Sequence, residues 1–226
     1  KGSGKPVVLL IAGYRERGDF SWDTFDSKDK NATVFAKVSQ FTKVCLYDRP
    51  GTIKEKVTTF DVSRSTPVLQ PVTAKDAAAD LHAMLHAAGI KPPYIIAAHS
   101  AGGLIARLYA GIYPKEVSGM ILVDVTTEYL KDKWTPEEWD IYEKSTQMIP
   151  PDLRMYHDLE HIDFEQSMKQ LKANKVLQNK LPMPAIVLTA DQKPIAASLI
   201  EAGFWPAHVT QETANHIFSV ILKSQE

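Results

Sequence analysis

The densest chemical signal in this chain is Ala98-His99-Ser100-Ala101-Gly102-Gly103. It follows the apolar run Tyr94–Ala98 and opens a helix-like segment, Leu104–Ala110. A serine held on a sharp strand-to-helix corner is lifted clear of the sheet edge, and its hydroxyl becomes accessible for attack on an acyl carbon. Such a corner needs small residues two before and two after the serine. Gly102 is one, and Ala98 adds only a methyl group to the other. The same turn leaves the Ala101 N–H at a helix N-terminus, where it can bind developing negative charge.

A serine alone is a weak nucleophile and needs an imidazole base oriented by a carboxylate. Two acids close apolar runs downstream of Ser100. Asp191 follows Ala185–Thr189 and is placed first; Asp124 follows Met120–Val123 and stays open as the alternative, with a loop-fixing role as its plainer reading. The base is sought at His216, because Asn215-His216-Ile217-Phe218 has a small residue, a histidine and an apolar pair. A second pattern competes there. Ala214, Ile217, Phe218, Ile221 and Leu222 repeat with helical period over Thr210–Lys223, which would put His216 in a helix and leave the true base beyond the chain end.

The elements that must position these groups alternate along the chain. Val7–Ile11, Val44–Tyr47, Tyr94–Ala98, Met120–Val123 and Ala185–Leu188 are short runs rich in Val, Ile and Leu, as strands buried on both faces of a parallel sheet require. Between the second and third, apolar positions from Ala74 to Ala88 recur three and four apart, which predicts a helix. Thr73 with Asp76 forms its capping box, and Gly89 and Pro92-Pro93 end it. The fold class is therefore α/β, a doubly wound and mostly parallel sheet. No strand-like run occurs from Thr126 to Met183. That stretch is expected to form a helical insertion, residues 126–183, between core segments 1–125 and 184–226. Its Trp134, Trp139, Tyr142 and Met148 are candidates for lining an apolar substrate pocket above Ser100.

The chain resembles the bacterial α/β-hydrolases, the broad esterase and lipase-like group. The resemblance rests on Val7–Gly13 running into a loop, on Tyr47-Asp48-Arg49-Pro50-Gly51, on His99-Ser100-Ala101-Gly102-Gly103 and on Leu122-Val123-Asp124. It implies ester or related acyl hydrolysis through an acyl-enzyme, with a catalytic triad and a cap domain. It also implies a second oxyanion donor in the loop after the first strand, the backbone N–H of Tyr14 beside that of Ala101. The group's usual His-Gly is Ala12-Gly13 here. Asp48 and Arg49 read as a charged pair fixing a loop. The expected partner is a small hydrophobic acyl substrate, with no cofactor and no metal.

Other readings are narrower. The fold could serve as an inactive ligand-binding protein. His157-Asp158-Leu159-Glu160-His161 matches a zinc-hydrolase string that needs both histidines on one helical face, with Glu160 as base. His82 and His86 lie four apart, but with no third ligand near in sequence they read as a solvated face. A formal net charge of -1 gives no nucleic-acid surface. No apolar run approaches the length of a membrane span. The single cysteine, Cys45, excludes an internal disulfide and reads as a small core residue. The chain opens without methionine, in a Gly/Ser/Lys loop directly before a strand, so a cut N-terminus is the expectation, with truncation at both ends if the helical pattern over Thr210–Lys223 holds. Compartment and oligomeric state carry no sequence signal.

Overall fold

A computed structural model describes residues 1–23, 33–54, 63–64, 66–149, 154, 156–178, 183–190, 205 and 208–225. Seven strands occur among them: β1 (Val7–Ile11), β2 (Val44–Leu46), β3 (Ile53–Lys54), β4 (Ser63–Arg64), β5 (Tyr94–His99), β6 (Val117–Val123) and β7 (Ala185–Leu188). Five of these form one parallel sheet in the order β2-β1-β5-β6-β7, and β3 and β4 form a short antiparallel pair. The all-parallel pairing explains the uninterrupted apolar runs. β1 is buried at every position, because helices cover both faces.

The helices are α1 (Gly18–Trp22), α2 (Val34–Val38), α3 (Ala74–Ala87), α4 (Gly102–Ile112), α5 (Pro136–Gln147), α6 (Phe164–Ala173), α7 (Lys175–Gln178) and α8 (Gln211–Gln225). α3 starts at the predicted capping box: the Thr73 hydroxyl accepts the Asp76 N–H, and the Asp76 carboxylate accepts the Thr73 N–H. It buries Ala74, Ala77, Ala78, Leu81 and Leu85, a stripe at the spacing read from sequence. α5 begins in the same way at Thr135 and Glu138.

The stretch between β6 and β7 holds α5, α6 and α7 and no strand among its described residues. α6 does not stand apart from the sheet domain. It packs on α3 and α4, and the Ser167 hydroxyl accepts the Ala74 N–H at the start of α3. The last segment follows the helical pattern: Gln211–Gln225 is helix α8. Cys45 sits half-buried against the core. No helix of the described residues is long and apolar enough to cross a membrane.

Candidate active site

Ser100 lies at the corner between β5 and α4 with φ of 51°, in the left-handed region that a side chain rarely adopts. Three backbone bonds hold it there. Its N–H donates to Val123 O at the end of β6, and its carbonyl accepts from Gly103 N and Thr126 N. The two glycines that follow allow close approach on both sides. A Cβ on Gly102 would lie 2.5 Å from Ala12 O, and one on Gly103 would lie 2.4 Å from the Val125 side chain. The small residues predicted around the serine are thus required by β1 on one side and the loop after β6 on the other. Ala98 is fully buried at the end of β5. Among the described residues, no side chain hydrogen-bonds the Ser100 hydroxyl.

The loop after β1 is fixed by two carboxylates. Glu16 Oε2 accepts the Gly13 N–H at 3.1 Å, and Glu160 Oε2 accepts the Arg15 N–H at 2.6 Å. The N–H of Tyr14, between them, has no protein acceptor among the described residues, and neither does that of Ala101. Glu160 is itself fully buried and pairs with the buried Arg49 through Nε and, at 3.0 Å, Nη2. The Arg49 guanidinium also donates to Ala12 O at 2.8 Å and to Gly13 O. One buried ion pair therefore grips this loop through its carbonyls and through one of its N–H groups.

This overturns two sequence readings. Arg49 pairs with Glu160 rather than Asp48, whose Oδ1 accepts the Gly18 N–H. The segment around His157, Glu160 and His161 is irregular, so the two histidines share no helical face, and the Glu160 carboxylate is consumed by Arg49 and Arg15. The zinc-hydrolase reading falls with it.

Ser100, Ala101 and Tyr14 share an apolar cavity of about 520 Å³. Tyr142, Met148 and Phe164 from the insertion form one wall, and Trp205, Phe218 and Ile221 form another. Burial pushes the Tyr14 phenol up to about 12, so it stays a neutral donor, bonded to Thr146 O at 3.0 Å. Of the four candidates named from the sequence, Tyr142 and Met148 line this cavity. Trp134 and Trp139 do not reach this cavity: they pack against each other, with ring centroids 6.0 Å apart, and against Tyr142. Phe164, Trp205, Phe218 and Ile221 were missed. The three-residue spacing of Phe218 and Ile221 was the available signal for an apolar helix face.

His216 is misplaced for a base. It lies inside α8, two residues before Phe218, and a helix turns by about 200° over two residues. Phe218 lines the cavity, so His216 points away from it. Its Nε2 sits 2.8 Å from Glu138 Oε1 on α5. Asp124, also at positive φ (46°), ends β6, where its Oδ1 accepts the Ala190 N–H just after β7. That contact fixes the loop through one of the two carboxylate oxygens. Asp191 lies outside the described residues. His99, beside the serine, faces Glu16 at 3.2 Å. The hydrogen bond to Glu16 raises the imidazole above its ordinary value despite desolvation. His82 and His86 gain a third neighbour that the sequence reading lacked, Glu116.

Residues 6–171 match the family profile described as alpha/beta hydrolase fold. The chain belongs to the alpha/beta hydrolase fold family. It is 26% identical to the uncharacterized YqjL protein of Bacillus subtilis (strain 168) over 85% of this chain and 65% of that one, so it spans less than two thirds of that relative's length. A second match, 34% identical, joins 62% of this chain to 18% of efuK of Hormonema carpetanum, which is named a probable transporter. Among solved structures, Cfl2 of Burkholderia cenocepacia superposes with a TM-score of 0.53 at 18% identity, over 84% of this chain and 73% of that one. At that identity the likeness speaks for the fold.

Proposed function

We propose that the chain is a serine hydrolase of carboxylic esters or related acyl compounds with a small apolar group, Ser100 being the nucleophile. One observation carries the reading. The Tyr14 N–H is left without an acceptor while both neighbouring N–H groups are tied to carboxylates, and it shares a cavity with Ser100 and the Ala101 N–H. A peptide plane held on both sides and open in the middle suits preorganised binding of an oxyanion, where one donor is worth about 10²–10³ in turnover. Ser100 Oγ adds to the acyl carbon, and the tetrahedral oxygen takes the two N–H groups. The bond to the leaving alcohol breaks as the alcohol receives the serine proton, and water reverses the sequence on the acyl-enzyme. Asp191 or Asp124 is the acid of this proposal. The imidazole it orients is not His216, and among the described residues no histidine ring hydrogen-bonds Ser100.

In this reading residues 126–183 act as a cap, and the insertion wall of Tyr142, Met148 and Phe164 receives the acyl or alcohol group. Each buried methylene adds about 0.8 kcal/mol of binding. Specificity constants are then expected to rise along p-nitrophenyl esters from acetate to butyrate or hexanoate and fall once the cavity is full. A fluorophosphonate probe is expected to label the parent and not Ser100→Ala. Equal labelling of both proteins removes Ser100 from the mechanism, and acetate as the best substrate removes the pocket. A second reading, an acyl-binding protein without turnover, is favoured by the His216–Glu138 contact. It predicts ester binding with neither labelling nor release of p-nitrophenol.

A further inference from the structure

At the opposite end of the sheet from Ser100, three metal-capable side chains converge. His82 and His86 lie one turn apart on α3, and Glu116 closes the 3-10 turn Pro114–Glu116 that leads into β6. His82 Nε2 is 3.2 Å and His86 Nε2 3.7 Å from the same oxygen, Glu116 Oε1. The three donor atoms all lie within 4.8 Å of one another. An ion bound tetrahedrally by imidazole nitrogen and carboxylate oxygen at about 2.0–2.1 Å has its donors about 3.3 Å apart. The two measured edges bracket that value, and the third lies within 4.8 Å.

The surroundings hold two of the three groups in place. The Tyr109 hydroxyl, on a buried ring, donates to Glu116 Oε2 at 2.6 Å and so leaves Oε1 facing the imidazoles. The His82 ring is stacked on Tyr113, with centroids 3.9 Å apart and planes 7° from parallel. A partner behind each ligand is the usual support of a metal site. His86 is 60% exposed and leaves a fourth position open to water. Two imidazoles with one carboxylate select a zinc-class ion, whereas calcium and magnesium prefer oxygen donors throughout.

We propose that His82, His86 and Glu116 bind one zinc-class divalent cation. The ion would clamp α3 to the turn before β6. It takes no part in chemistry at Ser100: Glu116 precedes β6 and Val123, which holds the Ser100 N–H, is its last residue, a span of about 20 Å. The competing account is a plain histidine–carboxylate hydrogen bond with no ion.

The test is calorimetric titration of chelator-treated protein with zinc chloride, with thermal melts in the presence and absence of zinc. Saturable binding of one ion per chain is expected, together with a rise in melting temperature. His86→Ala removes only an exposed ring, so its metal-free melt is expected to match the parent while its zinc affinity falls about tenfold or more. Glu116→Gln is expected to lose the zinc-dependent rise as well. Absence of saturable binding, or binding and a melting rise of equal size in His86→Ala, overturns the proposal.

Discussion

Replacing Glu160 by Gln preserves the side chain's shape and removes its charge. The parent carboxylate accepts from Arg49 Nε through one oxygen, and from Arg49 Nη2 and the Arg15 N–H through the other. Gln has one acceptor and one NH₂ group. Whichever way the amide is turned, the NH₂ meets a donor, and a buried guanidinium loses its counter-charge. Breaking one partner of a buried ion pair costs about 3–5 kcal/mol. In a chain of this size each kcal/mol moves the melting temperature by about 2–4 °C, so a drop of about 6–20 °C is expected. Arg49→Met combined with Glu160→Met is expected to recover much of this, because it removes both charges. Recovery stays incomplete, since Ala12 O and Gly13 O lose their donor. The same carboxylate fixes the residue after Tyr14, so kcat and kcat/KM for ester hydrolysis are expected to fall together, by up to about 10²–10³. Guanidinium unfolding gives the first quantity. Ester kinetics well below the variant's melting temperature give the second. A Glu160→Gln protein within about 1 kcal/mol of the parent, with unchanged kcat, would refute the argument.

Four further outcomes are expected. Ser100→Ala is expected to abolish turnover with little effect on the denaturation midpoint. Ser100→Gly, freed from φ of 51°, is expected to gain up to about 1 kcal/mol; a loss of stability would show that the corner carries no strain. Gly103→Ala pushes a Cβ to 2.4 Å from both Cβ and Cγ1 of Val125 and is expected to cost about 1–3 kcal/mol, with Val125→Gly, which removes both atoms, restoring part of it in the double variant. His99→Gln tests the pairing with Glu16 by its pH profile. The His99 contribution is complete below the ordinary value of 6.5 and fades as pH rises through the raised folded-state value. Glu16 is held below its ordinary 4.5: desolvation pushes it up, but bonds from His99, Ser21 and Gly13 outweigh that, so its contribution is lost as pH falls through the lowered value. The stability gap between parent and variant is therefore widest between pH 4.5 and 6.5 and narrows above, and a gap that widens toward pH 8 contradicts the pairing.

What the sequence made legible was local. β1 and β7 fall on the predicted residues, and α3 starts at the predicted cap, because strand runs and capping boxes are set by neighbours within a few positions. The corner at Ser100 was readable for the same reason. His216 was ambiguous because a small-His-apolar string and a helical stripe overlap on the same residues, and only the packing of Phe218 and Ile221 into the cavity decides which face His216 takes. Aromatic content could not show that Trp134 and Trp139 pack on each other while Tyr142 reaches the cavity. The Arg49–Glu160 pair joins residues 111 apart, and no periodicity reports a contact of that kind. Glu116 likewise lay 34 residues from His82 and was invisible as its neighbour.

The long reach of Glu160 separates two halves of the site in time. The backbone bonds that hold the Ser100 corner come from α4, the end of β6 and the loop after it, segments close together in the chain, although the corner also packs on the end of β1. The loop carrying Tyr14 takes its final shape only when Glu160, 145 residues from Arg15, has docked on Arg49. Contacts closing so long a stretch of chain form late, after their entropy cost has been met by other packing. The topology therefore predicts a refolding state with the sheet and serine in place and the Tyr14 loop still loose. Such a state is expected to show native-like circular dichroism before the proposed activity returns, and stopped-flow refolding followed by both signals checks it.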